Sequence, residues 1–251
     1  MPPISVVELG TISYAEAERL QARLVAARQA GALDDVLLLL EHPPVVTLGR
    51  NARRENVRVT AAEFAALGVA CMECNRGGDV TFHGPGQLVG YPVVDLRQSQ
   101  RPTFLGAAAG RPARLGPVDY MRALEEVIIR VAAGFGLAAH RSPGRTGVWC
   151  GAPEAKLAAL GVHIARGVTS HGFALNVTTD LALFSRLIVP CGLADRGVTS
   201  LERELSPPPP MAAVRGRIVH EFSRVFERAM APMALEVLLA EAPREEHFVP
   251  V

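Results

Sequence analysis

Residues 147–177 read GVWCGAPEAKLAALGVHIARGVTSHGFALNV, and the fold depends on how this stretch is organised. It reads as three short strands in succession: Gly147 to Cys150, Lys156 to Ile164 and Gly172 to Val177. In the middle strand Lys156, Ala158, Leu160 and Val162 fall at every second position, the period of one strand face. The stretch also holds the only tryptophan, Trp149, and the only lysine of the chain, together with His163 and His171. Small residues beside Lys156 leave room for a substrate near its amine.

Upstream, Ser13-Tyr14-Ala15-Glu16 is a capping-box pattern that opens a helix to about Gln29, with Ala17, Leu20, Leu24 and Ala27 on one face. Val36 to Leu40 and Val45 to Leu48 read as strands, and Thr60 to Glu63 repeats the capping box ahead of a short helix to Leu67. Val69 to Cys74, Val80 to Phe82 and Gln87 to Leu96 read as strands, and Val118 to Ala133 as a helix. Arg97 to Pro117 is a long irregular stretch with Arg97, Arg101, Arg111 and Arg114 and no acidic residue. Downstream, a helix near Leu181 to Leu187 precedes Cys191. After Pro207 to Pro210 comes a helix with Val214, Ile218, Phe222 and Phe226 on one face. Strands and helices mix without a repeating βα rhythm. That predicts an α+β fold: a mixed, largely antiparallel sheet flanked by helices. Residues 1–205 are expected to form the main domain, and 206–251 a Pro-rich linker with a helical annex.

The chain has 251 residues, 49% of them hydrophobic, enough for a sizeable core without disulfides or a structural metal. A net charge of +1 and 5% aromatic content give no pull toward nucleic acid. The N-terminus lacks the basic and apolar regions of a signal peptide, and no apolar run approaches the ~18–20 residues of a membrane helix. A cytoplasmic protein in a reducing compartment is expected, with no nucleic acid or membrane as partner. Lysine and arginine together number 26, yet the only lysine is Lys156. Either one lysine survived by chance, or that position needs an amine that can exchange a proton, which arginine cannot do.

Four places could carry chemistry. RGGDVTFHGPGQLVGYPVVDL, Arg76 to Leu96, has Gly-Gly for close backbone approach, Arg76 for an anion and His83 at a glycine-rich turn. It is neither a Walker loop nor a dinucleotide fingerprint, and turns between strands would explain it equally. Cys71-Met72-Glu73-Cys74 lies inside an expected strand, where its thiols would point to opposite faces, and no second pair exists to complete a zinc site. The third place is the Lys156 region. The fourth is Cys191, flanked by Pro190 and Gly192: a constrained turn, though free cysteines are most often small core residues.

With these motifs together, the sequence resembles the octanoyltransferases of lipoate biosynthesis, also called lipoyl(octanoyl) transferases. The match rests on RGGDVTFHGPGQLVGYPVVDL, on KLAALGVHIARGVTSHGFALNV from Lys156 to Val177, and on Pro190-Cys191-Gly192-Leu193 followed by Thr199-Ser200-Leu201. Glu41 to Gly49, EHPPVVTLG, and Tyr14 with Gln21 add to it, and the likeness runs from about Ser5 to Leu205. The resemblance implies the fold of the biotin and lipoate protein ligases. It implies an acyl-thioester on Cys191 with Lys156 as its partner. The implied substrate-binding positions are Arg76, Gly77, Gly78, Asp79, Val80, Thr81, Phe82 and His83, then Ala159, Leu160 and Gly161, then Gly172, Phe173 and Ala174. The implied donor is octanoyl-acyl carrier protein. The implied acceptors are lipoyl domains of 2-oxoacid dehydrogenase E2 subunits and the glycine cleavage H protein. No metal and no cofactor is expected. Residues 101–116 look like an insertion relative to the family.

The chemistry agrees with that implication. A thiolate exchanges one thioester for another at little cost, and the amine then forms an amide downhill, without ATP. A lysine ammonium favours the thiolate, and a lysine amine can take and return its proton. The rival activities are an ATP-dependent lipoate-protein ligase and a Cys-dependent thioester hydrolase; a lipoyl-domain binder without catalysis is a third reading.

Overall fold

A computed structural model describes residues 1–106, 114–189 and 197–242. In chain order the elements are β1 (Ile4–Thr11), α1 (Tyr14–Gln29), β2 (Val36–Glu41), β3 (Val45–Leu48), α2 (Ala61–Ala66), β4 (Ala70–Glu73), β5 (Val80–His83) and β6 (Gln87–Val93). After these come α3 (Pro117–Gly134), β7 (Ala139–Ser142), β8 (Arg145–Cys150), β9 (Ala155–Ala165), β10 (Val168–Asn176) and α4 (Leu181–Leu187). Then follow α5 (Leu201–Glu204), α6 (Met211–Phe226), β11 (Met230–Pro232) and α7 (Leu235–Glu241).

Eight strands make one sheet in the order β11-β1-β2-β6-β10-β9-β8-β7, antiparallel from β2 to β7 and parallel on either side of β1. A second sheet has the order β4-β3-β5. The leucine run of β2 has no polar face because both faces are covered. Leu37 and Leu39 enter the core under α3, while Leu38 and Leu40 meet Ala17, Leu24 and Ala27 of α1. Both capping boxes form, with Ser13 and Thr60 each accepting from the backbone N–H of the glutamate three residues on.

The segment after the prolines joins the main structure. Val214, Ile218, Phe222 and Val225 of α6 share one core with Tyr120, Leu124, Val127 and Ile128 of α3, and β11 pairs with β1. An apolar face at helical period needs such a partner to leave water. Among the described residues, no helix is long and apolar enough to cross a membrane.

One expectation fails in the stretch that opened the reading. Lys156 does not share a face with Ala158, Leu160 and Val162. Trp149 pairs with Lys156 while Val148 pairs with Ala158, so Leu157 is an extra residue in β9. This bulge reverses the alternation. Val148 and Ala158 lie in the α3 core, and Lys156 turns to the opposite side with Trp149.

Candidate active site

On that opposite side lies a cavity of about 570 Å³. Ala159 and Gly161 of β9 and Gly172 and Ala174 of β10 line it with almost no side-chain bulk. The small sheet closes over them, because the Gly77 N–H donates to Val162 O at 2.9 Å. Gly161 is required at this seam: a Cβ there would sit 2.7 Å from Gly77 O. Gly161→Ala is therefore expected to push the turn away, lowering stability by ~1–3 kcal/mol and slowing acyl loading. Denaturant melts and a loading time course check both effects.

Arg76, Gly78, Asp79, Val80, Thr81 and His83 line the cavity from the small sheet. The Arg76 guanidinium is buried and spends its donors on neutral groups, reaching Thr47 O at 2.6 Å, Thr47 Oγ1 at 2.9 Å and Gly77 O at 3.1 Å. Asp79 accepts from the Arg53 N–H at 2.9 Å and from Asn56 Nδ2, which orders the segment before α2 along the rim. Lys156, Leu160 and Phe173 complete the set of sequence-identified positions at the cavity. Two positions fall elsewhere. Gly77 spends its N–H on β9, and Phe82 packs edge-on to Phe184 in the core under α4. Cys191 lies outside the described residues.

Lys156 is 5% exposed, with Nζ 4.7 Å from the centroid of the Trp149 ring. Its backbone is held on both sides: its N–H donates to Gly197 O at 3.0 Å, and its carbonyl accepts from the Thr199 N–H at 2.9 Å. Gly147, at φ 128°, makes room for the side chain, since a Cβ there would meet Lys156 Cε at 3.2 Å. Gly147 is itself tethered, its N–H reaching the buried Glu125 Oε1 at 3.2 Å, while Arg122 and Arg141 neutralise Oε2 of the same carboxylate.

The cavity also meets a buried cluster of two tyrosines and three histidines, of which Tyr14, His83, Tyr91 and His171 line it and His42 lies behind. Each ring nitrogen that must donate can be assigned from its partner. His42 Nδ1–H donates to Ile12 O at 2.8 Å, so Nε2 accepts from the Tyr91 hydroxyl at 2.8 Å. His83 Nδ1–H donates to Gln87 Oε1 at 2.7 Å, and His171 Nε2–H to Asn75 Oδ1 at 2.7 Å. Burial keeps all three imidazoles neutral: His42 is pushed down to about 4, His171 to about 3, and His83 well below the usual range. The same burial raises both tyrosine hydroxyls well above theirs. The sequence reading named Tyr14, His83 and His171 but gave no role to Tyr91 or to His42 as a cluster. Their convergence depends on β2, β6 and α1 meeting, which no local pattern announces.

The other cysteines are ordinary. Cys150 is in the core, where burial pushes its thiol up to about 12. Cys71 is exposed on β4, and Cys74 Sγ donates to Leu48 O at 3.4 Å.

The fold is shared with lipoate protein ligases. Residues 13–223 match the family described as Lipoyl protein ligase A/B catalytic domain. A bi-partite lipoate protein ligase from Thermoplasma acidophilum superposes with a TM-score of 0.71 at 16% identity, covering 98% of this chain and 96% of that one. Lipoate-protein ligase A bound with ATP also gives 0.71 at 16% identity, over 96% of this chain and 93% of that one. An octanoyltransferase of Acidobacterium capsulatum is 50% identical over 96% of this chain and 94% of its own length. Those of Koribacter versatilis and Chloroflexus aggregans are 49% and 48% identical over 89% and 90% of this chain, and 84% and 96% of their own. The chain belongs to the lipoyl protein ligase A/B catalytic-domain family, within it to the octanoyltransferases.

Proposed function

We propose that this protein moves an octanoyl group from acyl carrier protein to a lysine of a lipoyl domain, through a thioester on Cys191, with Lys156 as proton carrier, in the cytoplasm. The observation that carries the reading is the placing of Lys156 relative to the chain on either side of residues 190–196. Before that segment, the Val189 N–H donates to Asn56 O at 2.8 Å, and Asn56 lines the cavity. After it, Gly197 accepts from Lys156 itself. Cys191 is two positions beyond the first of these anchors.

In the first step the Cys191 thiolate attacks the thioester carbonyl, and the carrier's sulfur leaves with the proton that Lys156 took from the thiol. In the second step the acceptor amine attacks the acyl-enzyme, gives its proton through Lys156 to Sγ, and leaves as an amide. Two moderate barriers replace one high one. The small apolar side chains of Ala159 and Ala174 at the cavity floor help keep water from the waiting thioester. A ligase would instead release pyrophosphate in proportion to product, and a hydrolase would release octanoate without acceptor. Either result in a coupled assay would replace this reading.

Two arginine clusters differ: Arg50, Arg53, Arg54 and Arg58, of which Arg58 donates to Ser185 O at 2.9 Å, and Arg97, Arg101, Arg111 and Arg114, of which Arg111 lies outside the described residues. Arg97 is engaged by Asp95 through two bonds of 2.9 and 2.7 Å, and Arg101 by Asp119 at 2.7 Å. Arg50 is exposed, and Arg53 and Arg54 at the rim are largely exposed, with only long contacts to Glu55 and Glu73 of 4.0 and 3.6 Å. We assign docking of the acidic carrier to the rim. Charge reversal of Arg50 and Arg54 should lower the second-order loading rate from the carrier protein and flatten its salt dependence. Loading from a small octanoyl thioester should stay unchanged. Wild-type salt slopes in the variant would remove these residues from docking.

A further inference from the structure

A second, smaller cavity of about 230 Å³ lies between α1 and the β9–β10 hairpin. Ala22, Val25, Ala26 and Ala165 give it a mainly apolar wall. His171 lines both this cavity and the larger one. Of the described lining residues the two cavities share only His171, and its ring is firmly placed. The His171 N–H donates to Gln21 Oε1 at 2.6 Å, Nε2–H to Asn75 Oδ1 at 2.7 Å, and the ring meets Tyr91 edge-on at 6.0 Å. Gln21 Nε2, which also belongs to a residue of the second cavity, is buried with no partner.

The backbone shows why the ring stands where it does. Thr169, Phe173 and Leu175 of β10 face the α3 side: Thr169 Oγ1 accepts from Tyr120, and the other two lie in that core. Strand alternation would put His171 there too. Its φ of 55°, in the left-handed region, interrupts the alternation, and the ring lies with Tyr14 of α1 instead. A bulky residue in that conformation is strained, and such strain persists where the surroundings demand it. Val162, the cross-strand partner of His171, is six residues along β9 from Lys156. The small-residue floor of Ala159, Gly161, Gly172 and Ala174 thus runs from the amine toward the ring.

We propose that His171 sets acyl-chain length: it is the stop that ends the acyl slot, and a longer saturated acyl chain is excluded because its last methylenes would have to enter the second cavity. The proposal rests on the reading that the acyl carbonyl is held at the Lys156 end. His171→Gly suits the test, because glycine accepts the positive φ without strain while removing the ring. Octanoyl-, dodecanoyl- and tetradecanoyl-pantetheine are offered in turn, and acyl-enzyme formation is followed by intact mass. In His171→Gly the ratio of dodecanoyl to octanoyl loading should rise roughly tenfold or more, the scale at which a pocket discriminates methylenes. His171→Asn, which also tolerates the left-handed backbone, should give a smaller rise. Adding Ala22→Phe to His171→Gly refills the second cavity and should return the ratio toward wild type, whereas Ala22→Phe alone should change nothing. An unchanged ratio in either folded His171 variant overturns the proposal, as does a raised ratio that Ala22→Phe fails to reverse. Wild-type protein that accepts no octanoyl group at all would instead remove the transfer reading beneath it.

Discussion

Lys156→Arg is expected to lose transfer by roughly 10²–10⁴-fold, the contribution of a positioned proton carrier, while binding octanoyl donor nearly as well as wild type. Arginine keeps the charge beside Trp149 but cannot give up its proton near neutral pH. Lys156 occupies a buried site 4.7 Å from the Trp149 ring centroid, framed by Gly147 and tied by its backbone to Gly197 and Thr199. Single-turnover assays separate loading from transfer. Both should slow, because the same amine serves the thiol in the first step and the acceptor in the second. A variant with normal rates in both steps would reduce Lys156 to a charge or to packing.

Acid is expected to destabilise the fold from about pH 6.5 downward, well above the range of carboxylates. The imidazoles of His42, His83 and His171 are held below their usual range by burial. An unfolded chain therefore binds protons that the folded chain refuses, so stability is full above ~6.5 and falls as pH drops toward the folded values. His42 titrates near 4 and His171 near 3 in the folded protein. His42 and His171 together should cost on the order of several kcal/mol by pH 4, and His83 acts in the same direction. Asp95, held low first by its hydrogen bond to Arg97, adds a further loss only below ~3.9. Urea midpoints measured from about pH 8 to 4 should slope downward throughout the acid half. His42→Gln, which lacks the titrating ring, should have a shallower slope. A flat profile between pH 7 and 5 would mean that these rings are already protonated or solvated in the native state.

Local grammar was readable in the sequence. The capping boxes at Ser13 and Thr60 fix helix starts through side chains three residues apart, so their information is contiguous. The alternation of β9 and the 3.6-residue period of α6 were equally visible. What the sequence hid were events between distant segments. β1 and β11 pair in parallel across most of the chain, and neither shows a pattern that names its partner. The bulge at Leu157 inserts one residue and moves Lys156 from the core face to the cavity face, and nothing in Lys-Leu-Ala-Ala-Leu marks that register. His171 likewise looks like any strand residue until its left-handed φ is known. Most positions named from the resemblance converge on one cavity, while Gly77 and Phe82 serve its construction from outside.

The central claim is a thioester on Cys191, and intact mass after mixing with octanoyl-acyl carrier protein tests it most directly. Without acceptor, the protein should gain the mass of one octanoyl group, released by hydroxylamine and passed to a lipoyl domain when that is added. Cys191→Ser should lose this thioester, and Lys156→Arg should acquire it slowly. A thioester adduct of the same mass on Cys191→Ser, cleaved by neutral hydroxylamine, or full transfer by that variant without any acyl-enzyme, would contradict the account.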